Sequence, residues 1–478
     1  FKAEYTLTGS EPEGVLDFVI DATDYMGNPG SFNLTTDGSQ VTYDKTPPTL
    51  TSVNIASNNA DTSWAKVGDT IIVTFTSDEI LSDTSSTIIG HNTSVSSVVE
   101  NQFKTTYAPI NSDIEGAVTF HIQFSDRAAN EGTAVTVSTN NTQVIFDRTP
   151  PADFTVGLLS PTEGNEVAGI WNLTNTGMDI IIPVVNDTTL KNGTVQLYGK
   201  VGSNNFEILG SISTILSSEI NTDKTISVTG ELIEGLTGFA EGEIIYVKAE
   251  MTDRPGNNTE GNQSRTEILI DETPASITPI SIISDNDNTI LAKVGDTVTV
   301  TFTTSDALID TGVTISGQSA LVSGLDGNQF KAVYAMAEGD AEGVVEFEIS
   351  FIDVQGNPLS GTNATTDESQ VTFDNTKPTL NPVTISSDNA CSTGAIAKSE
   401  NIVTLNFTAL EPFLSSLAIV MGDTVTITDL GSNQYKIDHQ LTDTDAEGNI
   451  SFLIRVTDLA GNISEDITTT TDNSNVEF

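Results

Sequence analysis

Hydrophobic and polar residues alternate along much of the chain. In the segments 71–76, 298–303 and 403–408, every second residue is Ile, Val, Leu or Phe. The same pattern follows a Glu-Gly pair at 118–124 and 345–351. A period of two places alternate side chains on one buried face of a β-strand. No segment shows the apolar stripe of a helix, so the pattern predicts an all-β protein.

The strands are separated by turn sequences and recur as a unit about 100 residues long. Turn residues such as Val-Gly-Asp-Thr at 67–70 and 294–297 stand between them. About seven short strands per unit are typical of an immunoglobulin-like β-sandwich. We therefore predict tandem immunoglobulin-like domains in an elongated array: 1–44, the C-terminal part of a domain; 45–147; 148–271, a divergent and longer domain; 272–374; and 375–478.

Each unit repeats one acidic signature. A Glu-Gly turn precedes a strand that leads to Asp-x-x-Gly-Asn, with Ala replacing Gly in the loop at 126–130. A closing Asp follows, usually before Thr-Pro, and these prolines favour stiff junctions. An acid also stands four residues after a buried Phe in three units, at Glu79, Asp306 and Glu411.

The spacing of the acids predicts where they meet. About 11 residues of strand at about 3.3 Å each span about 36 Å, the length of a sandwich. Glu342 and Asp353 should therefore lie at opposite poles, and the return strand should bring Asp374 back to the pole of Glu342. The next domain begins at once, so each junction should collect acids from two neighbours.

Clustered carboxylates with an amide oxygen suit Ca²⁺, which takes six to eight oxygen ligands, better than Mg²⁺. We therefore predict structural, inter-domain calcium at four junctions. The candidate ligands are Glu11, Glu13, Asp44, Glu79, Asp126 and Asn130; Asp113, Glu115, Asp147, Asp253 and Asn257; Glu241, Glu243, Asp271, Asp306, Asp353 and Asn357; and Asp340, Glu342, Asp374, Glu411, Asp458 and Asn462. The alternative for each loop is ordinary turn chemistry, in which Asp bonds its own backbone.

Composition supports a cation partner. The chain has 66 acidic and 18 basic residues and a formal charge of −48. A polyanion is repelled by nucleic acid and by anionic membranes, although acidity also serves solubility. A single cysteine, Cys391, excludes an internal disulfide framework, and we expect it to be a small packed or semi-exposed side chain. The sequence contains no run of about 20 apolar residues, so it predicts no membrane insertion in this segment.

The motifs Asp-x-Thr-Pro-Pro, Ala-Lys-Val-Gly-Asp-Thr-Val-Thr-Val-Thr-Phe-Thr (292–303) and Asp-x-x-Gly-Asn together resemble the bacterial immunoglobulin-like repeats of giant cell-surface adhesins. The style of repeat also resembles the large surface adhesins of gliding bacteria. The resemblance implies an extracellular rod on a bacterial surface, stiffened by calcium between neighbouring repeats of one chain. It implies an adhesive target, a surface, a glycan or a protein, without identifying it.

Other functions have weaker support in the sequence. His91, His121 and His439 show no metal-ligand spacing, and no nucleophile or phosphate-loop motif is present, so we expect no enzyme. The alternative function is a carbohydrate- or protein-binding module of a secreted protein, with Trp171 and Tyr198 of the longer domain as the contacts. A core role for Trp171 is the competing interpretation. The partial units at both ends lead us to expect a longer natural chain.

Overall fold

The computed structural model describes residues 1–390 and 393–478, so Cys391 lies outside the described residues. The described chain forms two compact units. One comprises Phe1–Thr162 and Thr176–Leu269, and the other comprises Glu163–Asn175 and Ile270–Phe478. Both are built almost entirely from β-strands, which confirms the predicted fold class.

In the first unit, residues 1–44 form two small antiparallel ribbons, in which β1 pairs with β4 and β2 with β3. The strands are β1 (Gly14–Val15), β2 (Ile20–Thr23), β3 (Pro29–Phe32) and β4 (Thr42–Tyr43). In this segment, Phe18 and Ile20 are 39% and 55% exposed.

Residues 45–147 form a sandwich in the same unit. Its strands are β5 (Leu50–Ser57), β6 (Trp64–Ala65), β7 (Ile71–Ser77), β8 (Leu81–Ile88), β9 (His91–Thr93), β10 (Val95–Val99), β11 (Gln102–Tyr107), β12 (Gly116–Ala117), β13 (Phe120–Asp126) and β14 (Ile145–Phe146). One sheet has the order β10-β11-β7-β5, and a second has β13-β8-β9. Side chains such as Phe75, Ile122 and Phe146 fill the core between them. The alternation of β7 matches its burial, since Ile71, Val73 and Phe75 are buried.

The segment 148–271 contributes β15 (Leu159–Thr162), β16 (Ile170–Trp171), β17 (Gly177–Pro183), β18 (Thr194–Val201), β19 (Glu207–Thr214), β20 (Asp223–Thr229), β21 (Ile244–Thr252), β22 (Asn258–Glu260) and β23 (Ile268–Ile270). Within the first unit, β17 pairs with β15 and β20, while β18 pairs with β19 and β21. A 3₁₀ helix (Thr188–Leu190) and α1 (Gly230–Glu234) lie in its connections.

In the second unit, residues 272–374 form β24 (Ile277–Ser284), β25 (Leu291–Ala292), β26 (Thr297–Thr304), β27 (Leu308–Ile315), β28 (Gln318–Ser319), β29 (Leu321–Gly324), β30 (Gln329–Ala335), β31 (Gly343–Val344), β32 (Phe347–Asp353), β33 (Pro358–Thr362) and β34 (Thr372–Phe373). The main sheets are β24-β26-β30-β29 and β28-β27-β32-β33. Their shared core includes Phe302, Phe347 and Phe373.

The remaining described residues repeat this plan. The strands are β35 (Leu380–Ser387), β36 (Ile402–Ala409), β37 (Phe413–Val420), β38 (Asp423–Thr424), β39 (Ile427–Gly431), β40 (Gln434–Gln440) and β41 (Phe452–Asp458). The sheets are β35-β36-β40-β39 and β38-β37-β41, and Phe407 and Phe452 belong to the core they enclose. Among the described residues, separate clusters of buried apolar side chains lie within 53–146, 275–373 and 380–476. The domain boundaries themselves stay a prediction.

The described helices have at most five residues. None is long and apolar enough to cross a bilayer, which takes about 20 residues.

Candidate metal centres

The Asp-x-x-Gly-Asn loops are organised by their first carboxylate. Asp458 Oδ1 accepts the N–H groups of Gly461 and Asn462 at 2.7 and 2.8 Å, and Oδ2 accepts Asn462 Nδ2 at 2.9 Å. Asp126 makes the same type of bonds with Ala128 and Asn130. These bonds are the predicted turn chemistry.

The last residue of each loop also contacts the closing Asp of the preceding segment. Its side-chain amide donates to that residue's backbone carbonyl in four places: Asn130 to Asp44 at 3.2 Å, Asn257 to Asp147 at 3.2 Å, Asn357 to Asp271 at 3.0 Å and Asn462 to Asp374 at 2.9 Å. The amide nitrogen therefore ties the segments together, a role different from the predicted oxygen ligand.

In the first unit, Asp44, Glu79 and Asp126 form an acidic cluster. One carboxylate oxygen from each lies within 4.8 Å of the others. Asp126 is fully buried, and Asp44 and Glu79 are half-buried. Burial, together with the charges of Asp44 and Asp126, raises the pKa of Glu79 above its usual value. Three residues far apart in sequence are thus brought together as the strand lengths predict.

The second unit holds a matching cluster of Asp374, Glu411 and Asp458, with the same 4.8 Å limit. Burial and the neighbouring carboxylates raise the pKa of Asp374 and of Glu411. In the described chain, no Lys, Arg or His side chain forms an ion pair with any of these six carboxylates. Both clusters therefore concentrate negative charge without a cationic side chain.

In three Glu-Gly turns, the Glu bonds the residues that follow the closing Asp. Glu342 Oε1 accepts Asn375 N–H at 2.9 Å and Thr376 Oγ1 at 2.6 Å. Glu13 and Glu115 make equivalent bonds, to the residues after Asp44 and Asp147. The hydroxyl of Thr46 and the Lys45 N–H lower the pKa of Glu13. Bonds of this kind therefore favour the ionised form of Glu13 and of Glu115.

Asp147 and Asp253, also in the first unit, are both buried, and the charge of Asp253 acts on the Asp147 carboxyl. Asp147 is 6% exposed, and its Oδ2 has no hydrogen-bond partner among the described residues. Burial, with the charges of Asp253, Glu115 and Asp187, raises the pKa of Asp147 to about 6. Burial also raises the pKa of Asp253.

Asp187 is an acid that the sequence pattern missed. It lies in the connection after β17, and its Oδ1 accepts the N–H of Thr189 at 2.9 Å. The pattern of an acid after a buried Phe does not apply, because β17 contains no Phe. The sequence signal that could have identified Asp187 is the presence of an acid in the loop after the second strand of the segment, β17.

The third predicted set is only partly assembled within the second unit. Asn357 Nδ2 contacts both Asp271 O and Asp271 Oδ1, at 3.0 and 3.1 Å. The buried Asp353 accepts the N–H of Ala275 at 3.0 Å. Asp306 is exposed, and its Oδ2 accepts Ser305 Oγ at 2.8 Å. Glu241 and Glu243 belong to the first unit, where the Glu243 N–H closes a turn on Ala240 O.

Three further predicted ligands are used within their own loops. Tyrosine hydroxyls six residues upstream donate to Glu11, Asp113 and Asp340, at 2.9, 2.9 and 3.1 Å. Glu11 also accepts the N–H groups of Thr8 and Gly9, and the Thr8 bonds contribute most to lowering its pKa to about 2. None of the three carboxylates is part of the two described clusters.

Backbone carbonyls of the Asp-x-x-Gly-Asn loops at Asp253 and Asp458 also accept hydrogen bonds from lysine and asparagine side chains. Lys66 Nζ donates to Gly256 O at 2.6 Å, and Asn59 Nδ2 donates to Pro255 O at 2.8 Å, both in the first unit. In the second unit, Lys293 Nζ donates to Gly461 O at 3.0 Å. Both lysines come from the Ala-Lys-Val-Gly-Asp sequence that the pattern treats only as a turn. The contacts link residues that are 168 to 196 positions apart in the sequence.

The two candidate recognition residues of the segment 148–271, Trp171 and Tyr198, differ in solvent exposure. Trp171 is fully buried, so it is a core residue and cannot contact a surface ligand. Tyr198 is half-buried, and Lys248 Nζ lies 5.5 Å from its ring centroid.

The two acidic clusters offer carboxylate oxygens without sulfur or nitrogen, a donor set that suits a hard cation such as Ca²⁺. The unpartnered Asp147 Oδ2 adds a buried oxygen with capacity for a ligand. The residues present therefore fit a divalent metal.

No protein-family model matches the chain, and no curated protein matches it. Solved structures with similarity include a Ca²⁺-stabilised adhesin that helps an Antarctic bacterium reach out and bind ice; the identity is 17%, the TM-score 0.43, and 88% of this chain and 98% of that chain are covered. A tetra-tandem repeat from the extending region of a large adhesion protein has 17% identity, a TM-score of 0.28 and coverages of 89% and 98%. A structure from a 1.5-MDa bacterial ice-binding adhesin has 12% identity, a TM-score of 0.34 and coverages of 69% and 97%.

At such identities and TM-scores the similarity is one of general fold, and it assigns no function to particular residues.

Proposed function

We propose that this chain is a run of structural repeats from an extracellular bacterial surface adhesin, and that calcium bound at its acidic clusters stiffens the links between repeats. The observation that carries the proposal is the convergence of Asp374, Glu411 and Asp458 within 4.8 Å. Among the described residues, none of these three carboxylates forms an ion pair with a cationic side chain. The same convergence recurs at Asp44, Glu79 and Asp126.

The physical argument is electrostatic. Two like charges about 4 Å apart repel by about 1 kcal/mol in bulk water and about 4 kcal/mol at the effective dielectric near a protein surface. A divalent cation between the carboxylates attracts each of them, and this attraction offsets their mutual repulsion. Since each cluster joins a closing Asp to the loops of the following segment, the bound ion would restrict motion between them.

The carboxylates of each cluster would hold calcium, a hard cation that accepts oxygen ligands in a flexible geometry. The first-unit cluster of Asp147, Asp253 and Asp187 would hold a further ion. The predicted ligands Asp271, Asp353 and Asn357 contribute to a proposed fourth site. The repeats would serve as a rod that carries an adhesive region to an external target. We propose further that this rod belongs to the surface of a gliding bacterium.

The test is thermal unfolding of the chain with calcium and with a chelator. A ligand at 100 times its Kd stabilises the folded state by about 2.7 kcal/mol, so calcium should raise the Tm clearly. Asp374→Asn should remove part of this increase. Asp326→Asn changes an exposed carboxylate of the same unit and should leave the increase intact.

A Tm that is the same in calcium and in chelator would refute the calcium proposal. Scattering profiles measured under both conditions test the mechanical part separately. Calcium-dependent stabilisation without any change in the distribution of distances within the particle would retain the metal site and reject stiffening.

A further inference from the structure

The last repeat differs from its neighbours at one inward-facing position. The strands β11, β30 and β40 begin with the related sequences QFKTTY, QFKAVY and QYKIDH. Tyr107 and Tyr334 occupy the position of His439, and each has an acid six residues later, Asp113 or Asp340, as His439 has Asp445. The three repeats therefore offer an internal comparison.

In the two tyrosine repeats, the hydroxyl donates to the acid at 2.9 and 3.1 Å. His439 forms no such bond. Its side chain is 8% exposed, and its Nε2 is buried with no hydrogen-bond partner among the described residues. The nearest carboxylate oxygen, Asp445 Oδ2, lies 3.8 Å away, which exceeds a hydrogen bond.

A third group completes the arrangement. Asp423 follows the Met-Gly turn after β37 and corresponds to His91 and Gln318 of the other repeats. One ligand atom each from Asp423, His439 and Asp445 lies within 4.8 Å of the others. Asp423 belongs to β38 in one sheet and His439 to β40 in the other, so the group joins the two sheets of one sandwich.

The distances suit a metal ion between the groups. Ligands at about 2.1 Å from a tetrahedral Zn²⁺ lie about 3.4 Å apart, so a gap of 3.8 Å needs only a small closure. Thr442 holds Asp445 in place, since its N–H donates to Asp445 Oδ2 at 2.7 Å. An imidazole with two carboxylates favours Zn²⁺ or a similar first-row metal over Ca²⁺, which prefers oxygen alone.

We propose that Asp423, His439 and Asp445 form a transition-metal site of the zinc type that ties together the two sheets of the last repeat. This site is separate from the acidic clusters assigned to calcium. It contains a ring nitrogen, and its ligands come from one sandwich, not from successive segments.

The test is titration of the whole 478-residue chain with Zn²⁺ against a chromophoric chelator, in excess Ca²⁺ to occupy the all-oxygen sites. One zinc ion per chain should bind in competition with the chelator. His439→Tyr should abolish this binding, and it should fold, because tyrosine is native at the same position in two other repeats. Far-UV circular dichroism and the Tm in calcium check the fold of the variant.

His91→Gln is the matched control. It removes another histidine at the corresponding corner of a different repeat, using the residue native at position 318, and should leave zinc binding unchanged. Asp423→Asn should weaken binding, and Co²⁺ should give visible ligand-field bands with the parent chain but not with His439→Tyr. Equal zinc binding by the parent and His439→Tyr, or none by either, would overturn the proposal. Stabilisation at low pH that depends on His439 but occurs without bound metal would indicate only an ion pair between His439 and Asp445. That result would also overturn the proposal.

Discussion

Asn462 donates its side-chain amide to the backbone carbonyl of Asp374 at 2.9 Å, across 88 residues of sequence. The same side chain bonds Asp458 Oδ2, so one amide connects the closing Asp of one segment with the loop of the next. Asn130 repeats both bonds with Asp44 and Asp126. A residue that the sequence suggests as a ligand is therefore, through its nitrogen, a direct tie between segments.

Replacing Asn462 with Ala should destabilise the second unit by about 1 to 3 kcal/mol, because Asp374 O and Asp458 Oδ2 lose their donor in a half-buried setting. The measurement is the denaturant midpoint in calcium. Asn363→Ala, at an exposed position in the same unit, is the control and should change the midpoint little. Equal effects of the two substitutions would contradict the role given to Asn462.

Replacing Glu411 with Gln should have opposite effects with and without calcium. In chelator, the substitution removes repulsion by Asp374 and Asp458 and should raise the Tm by about 2 °C. In calcium, it removes a ligand charge and should lower the Tm. Differential scanning calorimetry under both conditions checks the inversion of sign, and a shift in the same direction in both would count against a shared ion.

The pH dependence of the chelated chain should reflect Asp147. Its folded pKa of about 6 lies above the ordinary value of 3.8, so the folded state binds this proton more tightly than the unfolded state. The contribution of this group to stability therefore falls as pH rises from about 4 through about 6.

Asp147→Asn should remove that part of the dependence while leaving other carboxylates to titrate. The observable is the difference in Tm between parent and variant at pH 4.5 and pH 7, expected to favour the variant more at pH 7. A difference that is independent of pH would show that Asp147 titrates normally.

Lys293→Met should loosen the Asp-x-x-Gly-Asn loop of the last repeat, because Gly461 O loses a charged donor. Hydrogen exchange of the Gly461 and Asn462 amides should accelerate about tenfold, the equivalent of about 1.4 kcal/mol in local opening. Lys331→Met removes an exposed lysine of the neighbouring repeat and should leave these amides unchanged. Unaltered exchange in Lys293→Met would show that the contact does not restrain the loop.

The strands and the meeting of several acids followed from local rules. Alternation identified β7, β26 and β36, because a strand has a side-chain period of two whatever surrounds it. The length of strand between Glu342 and Asp353 separated these acids, while the return of the chain placed Glu342 beside Asn375. Geometry of one extended segment was sufficient for both results.

Contacts between segments were decided by the tertiary structure. The closing acids Asp44, Asp147 and Asp374 occupy the same place in the repeat, yet among the described residues only Asp44 and Asp374 join a group of three carboxylates within 4.8 Å. The effect of the Asp187 charge on Asp147 and the hydrogen bond from Lys293 to Gly461 O likewise depend on how distant segments pack together. Sequence by itself determined the strands and their poles, because these depend on backbone period and length. Only packing decided which carboxylates lack a partner, because that depends on donors supplied by residues far away in the chain.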